Sequence, residues 1–257
     1  MQKNEVDNSI YDAYSDRWYT AFDDPVALLR AETLVKLPWT LEQIKKNFKN
    51  IQQVHALDVG CGGGFLSNGL AKNGLRVTGV DLSESSLATA KRFDETKTVN
   101  YLQADAYHLP FADNSFEVLT AMDFLEHIEH PEAAIREFSR VLKPGGLFVF
   151  HTFNRNWLAY FIIIRLVELL VKNTPKNLHV LRLFIKPSEL AVYCKTSNLE
   201  VIEMSGIRPV LTGIPLKNIF SGVVPETLKF KLTGSLMLSY IGCARKEPGQ
   251  NISASIP

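Results

Sequence analysis

Two groups of residues in this 257-residue chain have the types and spacing for chemistry. The first is Ala56-Leu57-Asp58-Val59-Gly60-Cys61-Gly62-Gly63-Gly64, followed by Val77-Thr78-Gly79-Val80-Asp81. An apolar strand ending in glycines lets the chain turn sharply and lets a ligand lie against bare main chain, and an acid about 20 residues on can hold a ribose. Gly60 and Gly62 fit a dinucleotide fingerprint, but Phe65 stands where its third glycine would be. Asp58, two residues before the first glycine, would repel a pyrophosphate and tolerate the sulfonium and ammonium of S-adenosylmethionine. The pattern favours that methyl donor over NAD or FAD; a tight strand-to-helix turn that binds nothing is the alternative. The second group, Asp123, Glu126 and His127, reads Asp-x-x-Glu-His. It could handle a proton, or it could open a loop and cap a helix before Pro131.

Further candidates for a nucleoside follow the same strand ends. Leu82 comes directly after Asp81, Asp105-Ala106 follows the third apolar run, and Met122 follows the fourth. An ionised Asp105 could accept a hydrogen bond from an adenine amino group, or it could be a turn aspartate.

The elements that must position these residues show in the alternation of turn signals and apolar runs, which has the pitch of βαβ units. Strands are expected at 55–59, 76–81, 100–104, 116–121, 146–152, 199–205 and 236–244. Helices are expected at 64–72, 83–93, 132–141 and 187–195, with helical patterns over 25–48 broken at Pro38. This predicts an α/β fold, a mostly parallel seven-stranded sheet with helices on both faces and ligands at the carboxyl ends of the strands.

Composition narrows the partners. Lys and Arg total 28 against 27 Asp and Glu, a balance that gives no support to a nucleic-acid partner held by bulk charge. Cys61, Cys194 and Cys243 are odd in number and too far apart for metal-ligand pairing, so a reducing cytoplasm is the expected setting. Residues 1–16 are polar and acidic and lack the basic flank and apolar core of a signal peptide.

From about residue 54 to 152, the glycine motif, Asp81, Asp105 and Leu109-Pro110-Phe111-Ala112-Asp113-Asn114-Ser115-Phe116 resemble the Rossmann-like class I S-adenosylmethionine-dependent methyltransferases. A narrower set comprises Ser15-Asp16-Arg17-Trp18, Leu125-Glu126-His127, Thr152-Phe153-Asn154-Arg155-Asn156, Thr174-Pro175-Lys176, His179 and Phe184-Ile185-Lys186-Pro187-Ser188-Glu189-Leu190. These segments resemble the ubiquinone-biosynthesis O-methyltransferases, which methylate catechol-type hydroxyls on polyprenylated rings. The chain departs from that family at Ala27-Leu28-Leu29-Arg30, where Asn-Pro-Leu-Arg is usual, and the resemblance gives Arg30 the donor's carboxylate. It also implies a divalent metal, Mg or Zn, at Asp123, Glu126 and His127, whose two oxygens and one nitrogen suit a hard or borderline ion. Alternatively His127 alone takes the acceptor's proton, an unperturbed imidazole titrating near operating pH. His179 is carried over as a substrate-side residue.

Residues 1–53 read as an N-terminal helical cap over donor and substrate, 54–246 as the methyltransferase domain with an insertion at 157–183, and 247–257 as a disordered tail. Within the insertion, Trp157 to Lys172 is too short for a membrane span and places Arg165, Glu168 and Lys172 on one helical face. It is either an interfacial amphipathic helix or a buried core helix. The polyprenyl substrate implied by the resemblance favours the first, with Val210 to Val224 completing a substrate lid. The expected protein is cytoplasmic and peripheral to the inner face of the cell membrane. It would take a lipid-soluble small molecule, touch the membrane through 157–172, and be a candidate for a biosynthetic complex. Two rivals are a methyltransferase of this fold acting on another small or lipid acceptor, and a non-catalytic donor-binding membrane adaptor.

Overall fold

A computed structural model describes residues 8–212 and 220–248. The first seven residues, the centre of the segment 210–224 expected to form a lid, and the tail from residue 249 lie outside the described residues.

The glycine motif leaves a strand because Ala56 to Val59 are apolar on both faces but for Asp58, and both faces find cover. The strands are β1 (His55–Val59), β2 (Arg76–Asp81), β3 (Asn100–Gln103), β4 (Phe116–Met122), β5 (Leu142–Phe153), β6 (Leu199–Val210), β7 (Lys229–Thr233) and β8 (Ser239–Lys246). They form one sheet in the order β3-β2-β1-β4-β5-β8-β6-β7. The first five run parallel, and β8 is antiparallel to both β5 and β6. The sheet is thus mostly parallel with helices on both faces, as expected, but has eight strands. The unexpected one is β7, a five-residue edge strand antiparallel to β6. Its Lys229, Lys231 and single inward Phe230 hide the apolar alternation that would have marked it.

The helices are α1 (Arg17–Thr20), α2 (Val26–Asn47), α3 (Phe65–Lys72), α4 (Glu84–Arg92), α5 (Pro131–Val141), α6 (Trp157–Ala159), α7 (Val167–Leu170) and α8 (Pro187–Thr196). Alternate strand residues divide the core in two. Leu57, Leu119, Phe148 and Phe150 pack with Phe138 of α5 and Leu190 of α8. Ala56, Val118, Leu147 and Val149 pack with Ile44 of α2 and Leu70 of α3. Such double burial is why the central strands read as continuous apolar runs.

The expected break at Pro38 does not occur, and α2 runs through it. Proline removes the N–H that would bond the carbonyl of residue 34, and Leu34 is 73% exposed, so water can serve that carbonyl. This continuous helix carries Glu32 and Lys36 on one face, across from the end of β4.

Candidate active site

The sheet order reverses at β1, which has β2 on one side and β4 on the other, and a cleft of about 380 Å³ opens at these strands' carboxyl ends. Gly60 and Gly62 turn the chain there with φ of +67° and +50°. A Cβ on Gly62 would lie 2.9 Å from the Trp18 ring, so the N-terminal segment leaves no room for a side chain. Asp81 Oδ2 accepts from the Gly62 N–H (2.8 Å) and Oδ1 from the Ser83 N–H (2.9 Å). The carboxylate expected on a ribose therefore also braces the loop.

Asp58 sits beneath that loop and accepts from the hydroxyls of Ser67 (2.6 Å) and Thr120 (2.7 Å). Burial pushes its pKa up to about 6 despite them. Asp105 accepts from the Tyr107 N–H (2.9 Å), so it is a turn aspartate and a cleft-facing one at once. Leu82, Ala106 and Met122 line the same cleft. Arg30 does not. Its guanidinium donates to the carbonyls of Trp18 (2.9 Å) and Ala21 (2.7 Å) beside a separate surface hollow. The end of the short α1 leaves those carbonyls in need of donors, and the guanidinium expected at the donor's carboxylate is bonded there.

A second, apolar cavity adjoins the first, walled by Leu28, Ile163, Leu166, Val224, Leu228 and Phe230 among others. Tyr11, Leu29, Asp123 and His127 line both cavities. They mark the junction where a group held in one could meet a group held in the other. Tyr11 holds its hydroxyl 3.4 Å from His127 Nε2 and stacks on Trp18. His179 lies on the apolar side, its ring 5.1 Å from that of His127.

The insertion is not a single amphipathic α-helix. Tyr160 to Leu166 is a π-helical stretch between α6 and α7. Ile163, Leu166 and Leu170 face the apolar cavity, while Trp157 (74% exposed), Phe161 (58%) and Leu169 (76%) point outward. The core-helix and exposed-face readings each describe one side of it.

Asp123 and Glu126 differ sharply in charge state. Burial would raise Asp123, but Lys36 Nζ (2.7 and 2.6 Å to its two oxygens) and His151 Nδ1 (2.6 Å) outweigh it and hold the carboxyl well below its usual range. Glu126 is fully buried behind the cavity wall, bonded by the Thr152 hydroxyl (2.7 Å). Burial and then the Asp123 charge push its pKa up to about 8. Burial lowers His127 to about 4, and burial with the neighbouring His127 lowers His179 to about 3. Two adjacent acids are thereby driven apart, one ionised and one carrying its proton at neutral pH.

Of the expected metal set Asp123, Glu126 and His127, Asp123 is bonded by Lys36 and His151. Among the described residues, Glu126, His127 and His179 bring ligand atoms within 4.8 Å of one another, and Glu32, Asp123 and His151 do the same. Sequence reasoning missed Tyr11, Lys36 and His151. Only the Glu32–Lys36 spacing of four signalled anything, and such pairs usually lie in solvent.

Comparison with known proteins agrees with this geometry. A family described as "Methyltransferase domain" matches residues 57–150. The ubiquinone biosynthesis O-methyltransferase of Coxiella burnetii is 36% identical over 215 residues, which cover 83% of this chain and 84% of that one. The protein of the same name from Azoarcus sp. is 40% identical over 154 residues, covering 59% and 66%. A crystal structure of a methyltransferase from Bacillus halodurans, 22% identical, superposes with a TM-score of 0.59 over 82% of this chain and 98% of that one, which establishes the shared fold.

Proposed function

This chain belongs to the ubiquinone biosynthesis O-methyltransferase family, and on that premise we propose that it moves the methyl group of S-adenosylmethionine to a phenolic hydroxyl of a polyprenylated catechol in ubiquinone biosynthesis. It is an S-adenosylmethionine-dependent methyltransferase. The observation that carries the substrate reading is the wall shared by a polar cleft and an apolar cavity, with His127 and Asp123 on it. A donor nucleoside suits the first and a prenyl-bearing ring the second.

The acceptor oxygen attacks the sulfonium methyl in line. The new O–CH₃ bond forms as the C–S bond breaks, leaving neutral S-adenosylhomocysteine, and the hydroxyl proton passes to His127. A phenol is a poor nucleophile until that proton leaves. His127 is neutral at pH 7 because burial disfavours its charged form, so one ring nitrogen carries a lone pair. The Asp123 charge stabilises the imidazolium as it forms. The test is mass spectrometry of quinone intermediates in cells lacking the protein, with transfer from labelled donor to a prenylated catechol by the purified chain. A failure to methylate the ring would sink the assignment.

A divalent ion, Mg or Zn, is the alternative to the base, because an imidazole that gives its lone pair to an ion cannot also take the proton. Its support is the donor set of Glu126, His127 and His179: Glu126 Oε1 is buried with no hydrogen-bond partner among the described residues, both imidazoles are neutral, and an ion would displace the Glu126 proton. When bound, such an ion would act as a Lewis acid toward the acceptor hydroxyl. Chelator treatment should then lower activity, and added ion should restore it. Full activity after exhaustive chelation would remove the ion and leave the base.

Peripheral attachment to the inner face of the cell membrane is the remaining part of the proposal. Among the described residues, no helix is long and apolar enough to cross a membrane. The support is the outward row of Trp157, Phe161 and Leu169 beside the apolar cavity. Trp157→Ser with Phe161→Ser should weaken liposome binding by roughly 10²–10⁴-fold, because each large apolar side chain contributes ~1.5–3 kcal/mol when buried. Circular dichroism should stay unchanged. Flotation equal to wild type would exclude this face as the anchor.

A further inference from the structure

Lys36 lies in the second of the two ligand-like cages, and the reaction as described makes no use of it. Its side chain is 2% exposed, and its ammonium touches Glu32 (2.5 Å) and both oxygens of Asp123. A charge taken this far out of water is costly, and a buried ion pair is weak evidence of stability for its own sake. The position of the Asp123 carboxylate is what this cluster fixes. Asp123 follows β4 with a left-handed backbone (φ +52°), its N–H bonded to the carbonyl of His151 (3.2 Å). An ionised carboxylate offers about four acceptor sites. Lys36 uses one on each oxygen and His151 a second on Oδ1, so the remaining site is on Oδ2. Asp123 lines both cavities beside His127, so that last site is available to a ligand at the junction.

We propose that Lys36 is a positioning residue that holds Asp123 as a fixed hydrogen-bond acceptor for the second hydroxyl of the acceptor ring, making the site selective for adjacent dihydroxy rings over monophenols. The inference rests on the catechol reading given above and deepens it. One hydroxyl gives its proton to His127 while its neighbour donates to Asp123 Oδ2. A site built to bond a substrate hydroxyl discriminates strongly against an analogue without it, because its own buried polar group is left unpaired.

The test compares kcat/KM for a prenylated catechol with that for the matching monophenol. Wild type should prefer the catechol by roughly 10²-fold or more. Glu32→Gln with Lys36→Met removes one charge of each sign, preserving net charge and packing. It should lower the preference at least tenfold with donor affinity within threefold of wild type. Asp123→Asn should do the same, and adding Lys36→Met to it should cost nothing more, since both act through one carboxylate. An unchanged preference in the folded Glu32→Gln/Lys36→Met protein would overturn the proposal, as would multiplying losses in the combined variant. Unfolding or loss of donor binding would make Lys36 a structural brace and overturn it too. A wild-type protein that methylates both rings equally refutes this inference alone, whereas one that methylates neither refutes the catechol assignment beneath it.

Discussion

Replacing His127 by alanine is expected to lower turnover by roughly 10²–10⁴-fold, the usual share of a positioned acid–base group, while donor affinity stays near wild type. His127 lines both cavities, but the groups that shape the donor loop are Gly60, Gly62 and Asp81 on other elements. The pH profile provides a second check. The folded-state pKa of His127 is depressed to about 4, so its lone-pair form is present above that value and is lost as pH falls through it. The acid limb of kcat/KM should accordingly sit near pH 4 rather than near the ordinary imidazole value of about 6.5. Single-turnover transfer and calorimetry on the same variant separate chemistry from binding. Turnover within threefold of wild type would take the base role from His127, and a limb near 6.5 would mean that the imidazole is solvated.

Asp81→Ala is expected to weaken S-adenosylmethionine binding by roughly 10²–10⁴-fold, because each charge-assisted hydrogen bond to a ribose hydroxyl contributes about 1.5–3 kcal/mol. The structure adds a second reason. The same carboxylate accepts from the N–H groups of Gly62 and Ser83, so its loss also leaves the glycine turn unbraced. Titration calorimetry of the folded variant reads both effects together. Affinity equal to wild type would remove Asp81 from the donor site.

The polar cleft at the strand ends was legible because its determinants are local. Asp58, Gly60, Gly62, Asp81 and Asp105 sit at or just beyond strand ends, and a strand followed by a glycine turn can be read from neighbours in sequence. The parallel core was legible for the same reason, its strands being runs of apolar residues. The acceptor side depends on long-range placement. Lys36 meets Asp123 across 87 positions and Tyr11 meets His127 across 116, distances over which no periodicity carries information. The bonds of Arg30 to the carbonyls of Trp18 and Ala21 were not legible either, because the carbonyls left by α1 could not be seen before its end was known. The insertion misled for a different reason. Its pattern distinguishes a charged face from an apolar one but not which of them a neighbouring element covers, and the apolar face with Ile163, Leu166 and Leu170 turns to the cavity.

The edge strand β7 ties folding fidelity to substrate fit. Phe230 pairs with Pro209 of β6, and both line the apolar cavity, while Lys229 and Lys231 stand in solvent on the opposite side. A slip of one residue would exchange the two faces, sending an ammonium into an apolar chamber at a cost of several kcal/mol and Phe230 into water. The cavity thus proofreads the hydrogen-bond register of its own wall. The two lysines that would be punished by slippage are also those that discourage a foreign strand from adding to this border, so one alternation of five residues guards against both misregistration and aggregation.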